Sequence, residues 1–320
     1  CISGFNGSAG TVVVTADRAG LWTDSRYVMQ GEQQLEGSGI ELFRMGQPGV
    51  PGHEEWLCDQ LSPKARVGVN PAAVSDAEYQ ALDGAMKQGF IALHPVVADL
   101  VDQVWADARP PMPSGQVRLH SEEWAGEAAV DKLRRLAGHM EELGAGAHLL
   151  GALDEIAWLF NLRGEDVSHN PVFVAYAVVE HGKASLFADR EKFSEEVFHG
   201  LPDSVSVRPY QDLEKYLRTL GSAGTVVWFD PATVNSKAAA VLTECCPSVV
   251  RKPGIVPHWK STKNPAEIAG MRNCHIRDGV TMVRFLNWLE SAVPEGGQTE
   301  ISIADKLGSL RAENDLFVGT

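Results

Sequence analysis

The sequence contains no uninterrupted apolar run near the roughly 18 residues that a membrane-spanning helix requires, so no span and no membrane partner are expected. Cysteine is scarce: Cys1, Cys58, Cys245, Cys246 and Cys274, an odd and irregularly spaced set. Without a C-x-x-C pair or a Cys/His cluster, this set excludes a disulfide framework and a zinc knuckle. A reduced, cytoplasmic setting is expected instead, with one or both of the adjacent Cys245 and Cys246 side chains buried. Positive charge is also short, 28 Lys and Arg against 42 Asp and Glu for a net charge of −14, which argues against a nucleic-acid surface. None of the ten histidines stands in an H-E-x-x-H or H-x-x-x-H pair, and Gly-x-Ser-x-Gly is missing. Zinc-peptidase helices and a serine nucleophile elbow are thereby excluded. No signal peptide or transit segment is recognisable, and the chain opens on Cys1 rather than methionine.

What is present is ordinary for a globular chain: 44% hydrophobic and 22% charged residues. At about 150 residues per domain, 320 residues suggest two domains and part of a third. Residues 11–15 read as a buried strand, turned at 17–20 into a hairpin with 21–23, and residues 27–35 as a helix. The glycine-punctuated loop Phe5-Asn-Gly-Ser-Ala-Gly10 lacks the Lys-Ser/Thr of a P-loop and precedes a strand, so phosphate cradling is rejected there. Strands at 41–45, 66–70 and 91–97 alternate with helices at 53–61 and 75–88, the latter with a Ser75/Glu78 capping box. Ala108-Arg-Pro-Pro-Met-Pro-Ser-Gly115 is the clearest linker.

A similar rhythm follows, without a visible sequence repeat: a helix at 121–143, strands at 148–150, 184–188 and 225–230, helices at 211–220 and 235–243. Between them, Leu153, Ile156, Leu159 and Phe160 share a helical face that Gly164 is expected to end. A polar loop and then a strand at 172–179, buried on both faces, come next. A second boundary is expected at 251–262. Asn264, Pro265 and Glu267 then cap a long helix whose stripe is Ile268, Met271, His275, Gly279, Met282, Leu286 and Leu289, and Thr299 opens another.

Three stretches carry candidate chemistry. Asp24 and Arg26, two apart, share a face and can pair if the backbone is extended; the pair is either a surface ion pair worth little or a fork for a peptide carboxylate or carbonyl. Arg163, Asp166, His169 and Asn170 crowd one loop, where bonding to each other and to loop backbone is the plain reading. His275, on an apolar stripe, reads as a packing residue rather than a ligand, and Trp22, Trp158 and Trp288 as anchors with paired N–H groups where buried. The carboxylates show no pattern that nominates a catalytic dyad.

The run LDEIAWLFNLRGEDVSHNPVFVAYA (153–177) resembles the middle domain of eukaryotic-type X-Pro aminopeptidases, the cytosolic aminopeptidase P group of the M24 metallopeptidases. Segments 3–30 (SGFNGSAGTVVVTADRAGLWTDSRYVMQ) and 263–290 (KNPAEIAGMRNCHIRDGVTMVRFLNWLE) resemble the same family in the same order. The resemblance implies an α/β fold with two similar creatinase N-terminal-like domains, mixed sheets flanked by helices, at 1–110 and 116–252. Residues 258–320 would begin a catalytic pita-bread domain. It further implies cleavage of peptides with proline in second position, two manganese ions, a homodimer, and substrate binding by Arg26 of the WTD-x-RY motif, where Ser25 replaces a frequent glycine. In the family the ions are held by two aspartates, a histidine and two glutamates. None has a counterpart here, so no catalytic or metal residue is nominated and the chain is expected to be a clipped fragment that is inactive alone. The alternatives are a non-catalytic binding or assembly module of the same fold, or a related enzyme such as prolidase or creatine amidinohydrolase.

Overall fold

The structure, a computed structural model, describes residues 2–96 and 98–319, with only the backbone of Asp107 included. The first elements are β1 (Thr11–Val14), β2 (Ala19–Thr23), α1 (Val28–Leu35), β3 (Ile40–Arg44), α2 (His53–Gln60), β4 (Arg66–Val69), α3 (Asp76–Gln88), β5 (Ala92–Pro95) and α4 (Leu100–Trp105). The expected strand 91–97 is therefore shorter, and Val97 lies outside the described residues. Then come β6 (Arg118–Leu119), α5 (Glu122–Ala125), α6 (Ala129–Glu142), β7 (Ala147–Leu150), α7 (Leu153–Leu159), β8 (Leu162–Arg163), β9 (Tyr176–Glu180) and β10 (Lys183–Phe187). The chain continues through α8 (Glu195–Gly200), β11 (Val205–Arg208), α9 (Leu213–Ser222), β12 (Val227–Phe229), α10 (Ser236–Cys245), β13 (Val249–Arg251), α11 (Val256–Ser261), α12 (Pro265–Glu295) and α13 (Glu300–Ala312).

Two compact units form: residues 1–112 with 231–241, and residues 113–230 with 242–320. In the first, β1 and β2 make the expected antiparallel hairpin, and β3 joins β2 in parallel. A separate parallel pair, β4 with β5, completes its sheets. The β2–β3 register sets Trp22 opposite Phe43, and their rings stack at 4.1 Å. Gly20 makes that possible, because a Cβ there would stand 2.7 Å from both rings. Trp56, Leu57, Met86 and Ile91 close this core, and the Trp22 indole N–H donates to the Pro51 carbonyl at 2.9 Å. β1, expected to be buried, is an edge strand, and Val14 stands 62% exposed.

The start of α3 carries the expected Ser75/Glu78 capping box and also a clasp that the sequence reading missed. Asp76 N–H donates to Val234 O and Ser236 N–H to Val74 O, both at 2.9 Å. Ala77 N–H donates to Pro231 O and Lys237 N–H to Pro71 O. Every partner is matched by one 160 positions on, so Asn70-Pro-Ala-Ala-Val-Ser75 and Asp230-Pro-Ala-Thr-Val-Asn235 are a repeat after all. Its short length and substituted end residues hid it among the longer dissimilar stretches.

The second unit is built on a six-stranded mixed sheet ordered β11-β10-β9-β7-β12-β13. Leu149, Val178, Leu186 and Trp228 on it are fully buried, as strands covered on both faces require. The expected helix 121–143 is broken into α5 and α6, because Gly126 adopts φ +69 where a Cβ would collide with the Asn264 side chain. The strand expected from Val172 begins only at Tyr176. Upstream, Val172 O accepts from Asp166 N–H and Val174 N–H donates to the Asp166 carboxylate, so the backbone serves the loop instead. Gly164 does not end α7; Asn161 does, with φ +51. The buried Lys132 ammonium donates to its Oδ1 (2.7 Å) and to Trp158 O (2.9 Å).

Asn264 caps α12 with the expected box. The expected stripe is wrong: Ile268, Met271 and Leu286 are exposed, and the buried residues are Thr281, Phe285 and Ala292. The covered face lies about a quarter turn away. There Arg311 of α13 grips Asp278 by two hydrogen bonds (2.7 and 3.1 Å). His275 is exposed and its Nδ1 meets Met271 O, so it is not a core residue. Within 251–262, expected as a boundary, α11 sends Val256 fully into the core of this unit. Cys245 and Cys246 are half-buried rather than buried, unbridged, with Sγ atoms 3.8 Å apart; Cys1 lies outside the described residues. Among the described residues no helix is long and apolar enough to cross a membrane.

Candidate functional site

Arg26 sits in a single 3-10 turn, Ser25–Tyr27, that follows β2. The backbone is not extended there. Asp24 caps the turn, its Oδ1 accepting from Arg26 N–H and from Nε (both 3.0 Å) and its Oδ2 from Nη2 (2.6 Å). The pair forms, but through the cap rather than across an extended face. This pairing holds the Asp24 carboxyl below its ordinary range and raises Arg26, hydrogen bonding being the main cause in both. The guanidinium also lies over the Tyr27 ring at 5.2 Å, and its side chain remains 66% exposed.

The glycine loop supports this turn. Phe5 meets Tyr27 edge-on at 5.9 Å, and a Cβ on Gly7 would stand 2.3 Å from the Phe5 ring and 2.9 Å from that of Tyr27. Glycine is therefore required for the loop to close on the turn. Closure brings Ser8 Oγ within 2.5 Å of the Tyr27 hydroxyl, a bond that lowers the phenol from its ordinary pKa. Thr23 Oγ1 donates to Ala9 O, and Asn6, Gln30 and Gln34 exchange side-chain amide bonds around the loop. Sequence reasoning named Tyr27 only as part of the motif and missed its bond to Ser8; the glycines spaced three apart before the strand were the signal available. Arg26 Nη1 has no acceptor among the described residues and can donate to a carbonyl or carboxylate. The arrangement can hold a peptide oxygen by hydrogen bonding.

In the other unit, the loop after β8 divides. The Asp166 carboxylate accepts from Gly115 N–H (3.0 Å), Val174 N–H (2.7 Å) and the Lys192 ammonium (2.6 Å). With side-chain exposures of 0% and 3%, Asp166 and Lys192 form a buried pair that ties the linker end, the loop and the segment before α8 together. Arg163 Nη1 donates to Ala157 O in the last turn of α7 and to Leu162 O in β8. His169, at φ +61, and Asn170 are exposed at the loop tip and make no side-chain bond among the described residues, so the plain reading holds for Arg163 and Asp166 only.

Glu155, in the first turn of α7, is 5% exposed; burial first, then the nearby Asp154 and Asp230, push its carboxyl up to about 7. Among the described residues no three His, Cys, Asp or Glu side chains stand close enough to hold a metal ion. A dinuclear carboxylate site therefore does not fit the residues present.

Two segments, 2–100 and 108–267, match the family described as Creatinase/Prolidase N-terminal domain. Aminopeptidase P2 of Arabidopsis thaliana is 37% identical over 100% of this chain and 49% of its own length. A probable Xaa-Pro aminopeptidase P of Sordaria macrospora is 39% identical over 99% of this chain and 53% of its own. Among solved structures, the X-prolyl aminopeptidase of Caenorhabditis elegans, described as a cytosolic enzyme with a di-nuclear active site, superposes with a TM-score of 0.90 at 31% identity. It matches 99% of this chain and 52% of its own. The chain thus spans about half the length of the relatives it matches. With two such segments covering most of the chain, it belongs to the creatinase/prolidase N-terminal domain family.

Proposed function

We propose that this chain supplies the two N-terminal α/β domains of an X-Pro aminopeptidase, a cytoplasmic, dinuclear manganese enzyme that removes the first residue from peptides with proline in second position. The carrying observation is the alignment of nearly the whole chain with aminopeptidases P, at 31–39% identity in the relatives described. Arg26 is the residue we assign to substrate. It is exposed, held at its Nε and Nη2 edge by Asp24, and free at Nη1 to donate to a peptide oxygen.

The two ions belong, in this reading, to the half of the relatives' length that this chain does not span. Residues 258–320 are the start of that catalytic domain. The exposed Ile268, Met271, Ile276, Val280 and Val283 on α12 support this, since such a row on one helix marks a surface that another part of a protein covers. The test is direct: the 320-residue chain, supplied with manganese, is mixed with an Arg-Pro-Pro peptide and release of arginine is followed. No release is expected. Turnover that persists through purification would overturn the division of labour.

A further inference from the structure

Successive side chains on a helix do not face each other, yet Cys245 and Cys246 bring their Sγ atoms to 3.8 Å. The cause is local. α10 ends at Cys245, and Pro247 disfavours helical backbone at the residue before it, so Cys246 leaves the helical course and its thiol meets its neighbour's. Cys246 N–H still donates to Leu242 O at 2.9 Å, which ties down the end of the helix. From the other side α9 pins the backbone: a Cβ on Gly221 would stand 2.4 Å from Cys245 O.

The two thiols form a relay. Cys245 S–H donates to Leu217 O at 3.5 Å, which leaves the Cys245 sulfur to accept from Cys246 S–H. Burial first, and then the neighbouring Cys245, push Cys246 up to about 12. Cys246 thus remains the protonated partner, and the nucleophilic role falls to Cys245. Both sulfurs are half-buried where α9 meets α10, so their pairing depends on no open face of the chain. Cys58, whose thiol donates to Ala85 O, and the exposed Cys274 bond no second sulfur among the described residues.

We propose that Cys245 and Cys246 are a peroxide-sensitive dithiol that closes reversibly into a disulfide between adjacent residues. In the first step the Cys245 thiolate attacks one oxygen of a hydroperoxide and the O–O bond breaks. Cys245 becomes a sulfenic acid, and the other oxygen leaves as water or alcohol after taking up a proton. In the second step the Cys246 sulfur attacks the Cys245 sulfur, the S–O bond breaks, and water leaves with the Cys246 proton. The thiols lose two electrons and two protons in all, and the same two electrons reduce the peroxide. Adjacent Cα atoms lie about 3.8 Å apart, less than the roughly 4.4–6.8 Å that disulfides span, so the closed form is strained and thiols reopen it. A labile bond of this kind suits a reducing compartment, where lasting disulfides are rare. Closure also works against the Cys246 N–H bond to Leu242 O and the Cys245 carbonyl lodged against Gly221, which loosens the end of α10. None of this rests on the peptidase reading.

The test treats the reduced 320-residue chain with hydrogen peroxide, alkylates the remaining thiols and weighs the tryptic peptides. Peptide 238–251, which holds both cysteines, is expected to lose the mass of two hydrogens and to escape alkylation before Cys58 or Cys274 changes. Reduced glutathione is expected to restore it. Cys246→Ser stops the sequence after its first step, so a cyclic diketone that captures sulfenic acids should label Cys245. In Cys245→Ser the label at Cys246 should form about tenfold more slowly or less. In the oxidised parent the Cys246 amide should exchange its hydrogen about tenfold faster or more, a reading that needs no variant to fold. Peptide 238–251 still taking two alkyl groups after Cys58 or Cys274 has oxidised, a bond from either sulfur to a different cysteine, or label on Cys246 rather than Cys245 would each overturn the proposal.

Discussion

Asp24–Arg26 and Asp166–Lys192 use the same chemistry in opposite settings. The first joins residues two apart on the surface; the second joins residues 26 apart with both side chains out of water. An exposed pair is screened and replaceable, so it contributes little to stability and leaves donors for a ligand. A buried pair costs desolvation on both sides, and removing one member strands the other. A carboxylate–cation pair thus stands on the surface in one unit and forms a buried structural tie in the other. Burial makes the difference.

The largest effect that follows is on Lys192. Lys192→Ala leaves the Asp166 carboxylate buried with only backbone partners and should destabilise the chain by about 3–5 kcal/mol in denaturant unfolding. A loss under about 1 kcal/mol, the range of surface pairs, would erase the contrast. Glu155 sharpens it from another side, as a buried carboxylate whose nearest charges are mostly negative. Its folded pKa of about 7 lies above the ordinary 4.5, so the unfolded chain releases the proton first. The resulting penalty is absent below pH 4.5, grows as pH rises, and is complete above about pH 7. Glu155→Gln should accordingly stabilise by on the order of 2 kcal/mol at pH 8 and by almost nothing at pH 4.5. Equal effects at both pH values would show that Glu155 is not strained by its burial.

A smaller effect is expected at the α3 cap. Ser75→Ala removes the bond to Glu78 N–H and should cost about 1 kcal/mol. The smallest is Arg26→Ala, for which Tm should not move. A clear fall in Tm would transfer Arg26 to the structural side of the comparison.

Much of the fold was legible in the sequence because its signals are local. The Ser75 and Asn264 boxes, the β1–β2 hairpin and the alternation of strands and helices all stand where patterning puts them. What was not legible depends on distant residues. Gly126 breaks a helix because Asn264 occupies the space beside it, and Val172 fails to join β9 because Asp166 recruits its neighbours. The stripe on α12 misled because periodicity reports apolar residues, not which face a partner covers; Arg311 and Asp278 decide that. At the candidate site, Arg26 and Tyr27 were visible through their motif, but the Ser8–Tyr27 bond was not, since only loop closure over Gly7 makes it.

The central claim is that Arg26 serves substrate and not the fold. The most direct measurement is kcat/KM toward an X-Pro peptide for Arg26→Ala and its parent, in a chain that also carries the catalytic half, with Tm recorded alongside. The account predicts a fall of about tenfold or more, through a higher KM or a lower kcat, at unchanged Tm. Unchanged kinetics would contradict it.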